Sequence, residues 1–131
     1  MQPVTIMPVL VTAIALFLSL GTSGVRAELA AANLVGTYEV TGTETDGKAY
    51  DGGPGTLDIS LSSSGALELE WNNGKYAGAG RVIGDVLAVA TFADGKSVIM
   101  VMTAGPDGSL TGKWWRQSDK GAKGTETWKK K

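Results

Sequence analysis

Histidine and cysteine are both missing from this 131-residue chain, and each absence closes off a branch of chemistry. Without histidine the chain lacks the commonest general base and the commonest transition-metal ligand. Without cysteine it has no disulfides, no thiolate nucleophile and no sulfur-ligated zinc or iron–sulfur site. Small exported domains often lean on disulfides; here the core has to hold unaided. Net charge is small as well. A formal charge of −1 and a pI near 5.3 give no broad attraction to nucleic acid. Proline is absent from every strand-like run beyond Pro8, and no helical period follows the opening apolar segment.

What is abundant is glycine, with 19 residues, set between short runs rich in aromatic and β-branched side chains. That balance reads as many short strands joined by tight turns. The opening segment is different. Val9–Leu20 is an uncharged apolar run, short of the roughly 20 residues that a membrane-spanning helix needs. Followed by Gly21–Gly24 and Val25-Arg26-Ala27, it reads as the core of a secretory signal cleaved after Ala27, although residues 1–7 carry no Lys or Arg. The expected organisation is a signal peptide over 1–27 and one domain over 28–131. After cleavage no stable membrane anchor remains, and the location is periplasmic or secreted.

Along the domain, residues 28–33 form an Ala-rich lead-in expected to be poorly ordered. Strand-like runs then follow at Val35–Thr43, Gly55–Ser62, Ala66–Asn72 and Lys75–Ile83, and at Val86–Phe92, Lys96–Ala104, Ser109–Gln117 and Thr125–Lys129. The second and third alternate strictly. Leu57, Ile59 and Leu61 oppose Asp58 and Ser60, and Leu67, Leu69 and Trp71 oppose Glu68 and Glu70, the pattern of a half-buried antiparallel sheet. Asn72-Asn73-Gly74 is a strong hairpin turn, because Asn and Gly tolerate positive φ. The fifth and sixth runs are apolar on both faces, which predicts burial on both sides or an interface. The expected fold is all-β: a single eight-stranded antiparallel up-and-down barrel. Its seam would join Leu34–Thr43 to Gly124–Lys129. A two-sheet sandwich or a curled open sheet fits the same spacing.

Candidate sites are few. Of 13 carboxylates, Asp46, Asp51, Asp85, Asp94 and Asp107 sit beside glycine in turns, where local hydrogen bonding accounts for them. No catalytic residue and no metal ligand is selected; Asp46-Gly47-Lys48 and Asp107-Gly108-Ser109 do not supply a calcium ligand ladder. No cofactor is implied. The aromatics carry the main signal. Tyr38, Trp71, Tyr76, Phe92, Trp114 and Trp128 fall near inward registers and are the candidate ligand-binding residues. Small barrels fill their interior with such side chains or leave room for one small ligand, and both options stand. Trp114 and Trp115 must face opposite ways.

The opening Gly36-Thr37-Tyr38, on the first strand of an eight-strand meander, resembles the calycin pattern of lipocalins and fatty-acid-binding proteins, with Tyr38 where those families have Trp. Gly36–Gly42, Asp46–Tyr50, Asp107–Trp114 and Gly124-Thr125-Glu126 are similar to a family of small exported proteobacterial proteins, some labelled "fibronectin-binding protein". Members of that family often carry a cysteine pair that this chain lacks. The resemblance implies an exported barrel and carries over no catalytic residue. The expected function is that of an exported, monomeric, non-catalytic binding protein. It would hold a small apolar ligand in the barrel or a protein partner on its outer face. The alternative is a periplasmic inhibitor of a hydrolase, for which Glu44–Pro54 is the only segment long enough to protrude. A small enzyme ranks below both.

Overall fold

The computed structural model describes residues 29–131. The expected signal peptide and its cleavage point lie outside the described residues. The strands are β1 (Gly36–Thr43), β2 (Gly55–Leu61), β3 (Leu67–Trp71), β4 (Tyr76–Ile83), β5 (Val86–Ala93), β6 (Lys96–Ala104), β7 (Leu110–Arg116) and β8 (Lys123–Lys130). Each pairs antiparallel with the next, and β8 returns to β1, so the eight form a closed barrel. The seam runs in register from Tyr38 opposite Lys130 to Thr43 opposite Thr125, with Val40 facing Trp128. Closure removes every sheet edge, which the sandwich and the open sheet would have left.

The two-residue side-chain period decides what is inside. Leu67, Leu69 and Trp71 are buried while Glu68 and Glu70 are exposed. Leu57, Leu67, Leu87, Met102 and Trp128 have no measurable exposure; an aliphatic side chain so buried contributes about 1.5–3 kcal/mol. At the Asn72-Asn73-Gly74 turn both asparagines hold positive φ, 51° and 59°, and the Asn72 side-chain oxygen accepts the Thr56 amide at 3.0 Å. The turn aspartates behave as short-range acceptors. Asp107 takes the Ser109 hydroxyl at 2.6 Å and Asp46 the Lys48 amide at 2.9 Å.

Three expectations are corrected. Residues 31–34 are not loose but form a 3-10 turn whose Leu34 is buried in the core. The turn is tied down on several sides. The Tyr38 hydroxyl donates to the Leu34 carbonyl at 2.7 Å, the Lys130 ammonium to the Asn33 carbonyl at 2.9 Å, and the Leu29 amide to the Gly84 carbonyl at 2.9 Å. It therefore closes the end of the barrel that holds the β4–β5 turn. Phe92 is not inward. Leu87, Val89, Thr91 and Ala93 take the inner register of β5, which leaves Phe92 on the outer one at 65% exposure. Burial on both sides is the part of the expectation for β5 and β6 that is corrected: among the described residues their second apolar face is uncovered, with Ile99 59% and Val101 41% exposed.

Candidate functional site

The end opposite the 3-10 turn is open, and its walls follow from the same alternation. On β8 the inward positions are Gly124, Glu126 and Trp128, so the period that buries Trp128 also turns a carboxylate into the barrel. Glycines make room for it: Gly42 on β1 and Gly112 on β7 stand opposite Glu126. The Tyr50 ring packs against Gly42, and the Trp114 indole lies so close over Gly124 that a methyl group there would collide with it and with the Thr43 carbonyl.

Tyr50 arrives from the β1–β2 connection. That segment folds back on itself, with Glu44 N donating to the Lys48 carbonyl at 2.8 Å and Tyr50 N to the Gly42 carbonyl at 3.0 Å. The centre of the segment expected to protrude thus delivers a side chain into the mouth. Three donors converge on Glu126. The Trp128 indole N–H reaches Oε1 at 2.7 Å, the Trp71 indole N–H reaches the same oxygen at 3.3 Å, and the Tyr50 hydroxyl reaches Oε2 at 2.9 Å. Burial nevertheless wins, and the Glu126 carboxyl is held above the usual carboxylate range, with the Glu44 charge adding to the effect. Burial and the neighbouring Glu126 likewise push the Tyr50 phenol upward.

Above this cluster is a cavity of about 350 Å³, floored by Val40 and Met100 and bordered by Tyr50, Trp71, Tyr76 and Trp114. That is the small end of the range for ligand sites. Trp114 is 6% exposed, and its indole N–H, with essentially no solvent contact, makes no well-formed hydrogen bond among the described residues; the Tyr50 hydroxyl stands near enough for the indole to offset part of the upward push on that phenol. Stranded donors of that kind are rare in native interiors. At the rim the Arg116 guanidinium lies 5.6 Å from the Trp114 ring and is held by Asp119 at 3.0 Å and Asp94 at 3.9 Å. Lys75 sits 5.4 Å from the Tyr76 ring.

The structure separates the six aromatic candidates into two groups. Trp71, Tyr76 and Trp114 border the cavity, and Phe92 edges its mouth from the outer face. Tyr38 and Trp128 lie beneath, packed against each other at 6.4 Å between ring centres, with Trp71 meeting Trp128 edge-on at 6.1 Å. Trp128 still bears on the site through its bond to Glu126. Sequence reasoning missed Glu126 and Tyr50. The signal for Glu126 was present in the register it shares with Trp128. The signal for Tyr50 was not, because a turn-rich loop has no period.

No protein-family model matches the chain, and no curated protein matches it. Among solved structures it is similar to the fluorescent protein UnaG, with 15% identity over 78% of this chain and 100% of that one at a TM-score of 0.51. A single-site mutant of UnaG is similar at 15% identity, 78% and 99% coverage and a TM-score of 0.50. At that identity the likeness is one of fold alone. The narrower resemblance, to exported proteobacterial proteins and their fibronectin label, finds no support in these matches.

Proposed function

We propose that this protein binds a small organic ligand in the open end of its barrel, between the aromatic walls and above Glu126. The observation that carries the reading is the aromatic-lined cavity of about 350 Å³ at the open end, with the Trp114 N–H beside it short of a well-formed hydrogen bond among the described residues. A ligand acceptor would relieve a cost of about 1–3 kcal/mol for a stranded donor. The likeness of fold to calycin barrels agrees with it. The role is recognition rather than catalysis. The inward carboxylate is held by three fixed protein donors, and the chain has no histidine or cysteine to act beside it. Export to the periplasm or beyond is part of the proposal and rests on the apolar run Val9–Leu20 and the small residues that follow it. Inhibition of a hydrolase through residues 44–54 is not proposed, since Tyr50 in that segment is committed to Glu126.

The four tryptophans supply the test, because each indole N–H gives its own signal in a nitrogen–proton correlation spectrum. A fragment library screened this way is expected to yield binders that shift Trp71 and Trp114 and leave the outward Trp115 in place. A library without such binders, or with shifts confined to Trp115, would overturn the reading. A protein partner on the outer face is the second reading, favoured by the outward row in which exposed Ala90 and Ile99 and half-buried Trp115 stand in register. Shifts confined to Trp115 would point to it.

A further inference from the structure

The chemistry around the cavity selects among small organic ligands. Glu44, Asp51, Asp94 and Glu126 border it. Of the two cations at its rim, Arg116 is already engaged by Asp119 and Asp94, and Lys75 is exposed. The cavity therefore presents negative charge that no described residue fully balances. Its walls add the rings of Tyr50, Trp71, Tyr76 and Trp114. An aromatic face attracts a cation by about 0.5–2 kcal/mol, most strongly where water is excluded. Lys75 and Arg116 already sit over Tyr76 and Trp114 from the rim. On Glu126, Oε1 has both of its acceptor positions taken by indoles, whereas Oε2 has one bond, from Tyr50. A carboxylate oxygen accepts two. The position left on Oε2 suits an N–H donor, and the Trp114 N–H asks for an acceptor elsewhere on the same molecule.

On the strength of the binding reading above, we infer that the ligand is a small aromatic amine in its cationic form. Its ammonium is placed against Glu126 Oε2, its ring lies among the aromatic walls, and an oxygen on its body accepts the Trp114 N–H. An anionic ligand of equal size would meet the Glu44, Asp51 and Asp94 carboxylates beside Glu126, and a neutral one would bring no charged donor to the open position on Oε2. The same cavity thus rejects the one and holds the other weakly.

Three compounds with the same phenol ring test the assignment: tyramine, the neutral alcohol tyrosol and the anionic para-hydroxyphenylacetate. Each is titrated into the full chain and read at the Trp71 and Trp114 indole signals. Tyramine is expected to bind about tenfold or more tighter than either counterpart. In Glu126→Gln, which keeps an oxygen for the two indoles, its affinity should fall to that of tyrosol, with the Trp115 signal unmoved as a check on folding. Equal or tighter binding of tyrosol or para-hydroxyphenylacetate at this site would overturn the assignment. So would failure of all three while other fragments shift Trp71 and Trp114, and the binding reading would survive in either case. If no fragment reaches those indoles, both fall together.

Discussion

Replacing Glu126 with alanine strands three donors at once, and the structure says how much each loss should weigh. Trp128 has no exposure, so its indole N–H, now bonded at 2.7 Å, would lose its partner with no water in reach, a cost of about 1–3 kcal/mol. The Trp71 bond is longer at 3.3 Å, and both Trp71 and Tyr50 border the cavity. Solvent can replace part of what they lose, so together they add about 1 kcal/mol. Removing a carboxylate that burial disfavours returns some of this. The net expectation for Glu126→Ala is a loss of about 2 kcal/mol at neutral pH, or a melting temperature lower by about 8–16 °C for a domain of this size. Glu126→Gln is the control. Its amide oxygen accepts both indoles and its amide N–H donates to the Tyr50 oxygen, so it should stay within about 0.5 kcal/mol of the native protein or exceed it. The pH dependence has a definite sign. The folded-state value of Glu126 is raised by burial, so its contribution to stability is present in full below the unfolded carboxylate value and is lost as pH rises through the raised folded value. The native protein should therefore lose stability relative to Glu126→Gln as pH is raised across that window, and the gap should then level off. Urea unfolding followed by tryptophan fluorescence at several pH values measures all of this. The reasoning is refuted if Glu126→Ala melts within about 2 °C of the native protein, or if Glu126→Gln is the less stable of the two variants.

Gly124→Ala should destabilise by about 3 kcal/mol or prevent folding, since its methyl group would meet the Thr43 carbonyl and the Trp114 indole; thermal melting reads the effect directly. Tyr38→Phe removes the 2.7 Å bond to the Leu34 carbonyl, which should cost about 1–2 kcal/mol. It should also speed hydrogen exchange over residues 29–35 more than in β5 and β6. Ile99→Lys, on the outer face at 59% exposure, should leave stability within about 0.5 kcal/mol, as checked by urea unfolding; a larger loss would mean that this face is covered.

The amino-acid order by itself was enough to determine the strands and their succession, whereas the seam was one of several arrangements the spacing allowed until the pairing of β8 with β1 closed the barrel. Strict alternation in Leu57–Leu61 and Leu67–Trp71 needs only a two-residue period and one apolar face. Asn72-Asn73-Gly74 declares its turn through backbone conformations that few residues accept. The same local logic fails where a residue's role depends on what stands opposite. Phe92 lies in a run apolar on both faces, so only the pairing of β5 with β4 and β6 assigns it to the outside. Leu34 looks like the tail of a loose lead-in until the closed end of the barrel supplies the atoms that bury it. The sequence pointed to Trp71, Tyr76 and Trp114, which do border the cavity, but the convergence on Glu126 belongs to tertiary structure. Tyr50, Trp71 and Trp128 come from a loop and two strands that are not neighbours in the sheet, and they meet at Glu126 because closing the barrel brings β8 against β1. A carboxylate's partners across 55 and 76 residues of chain leave no mark in local pattern, because convergence in space has no period along the sequence.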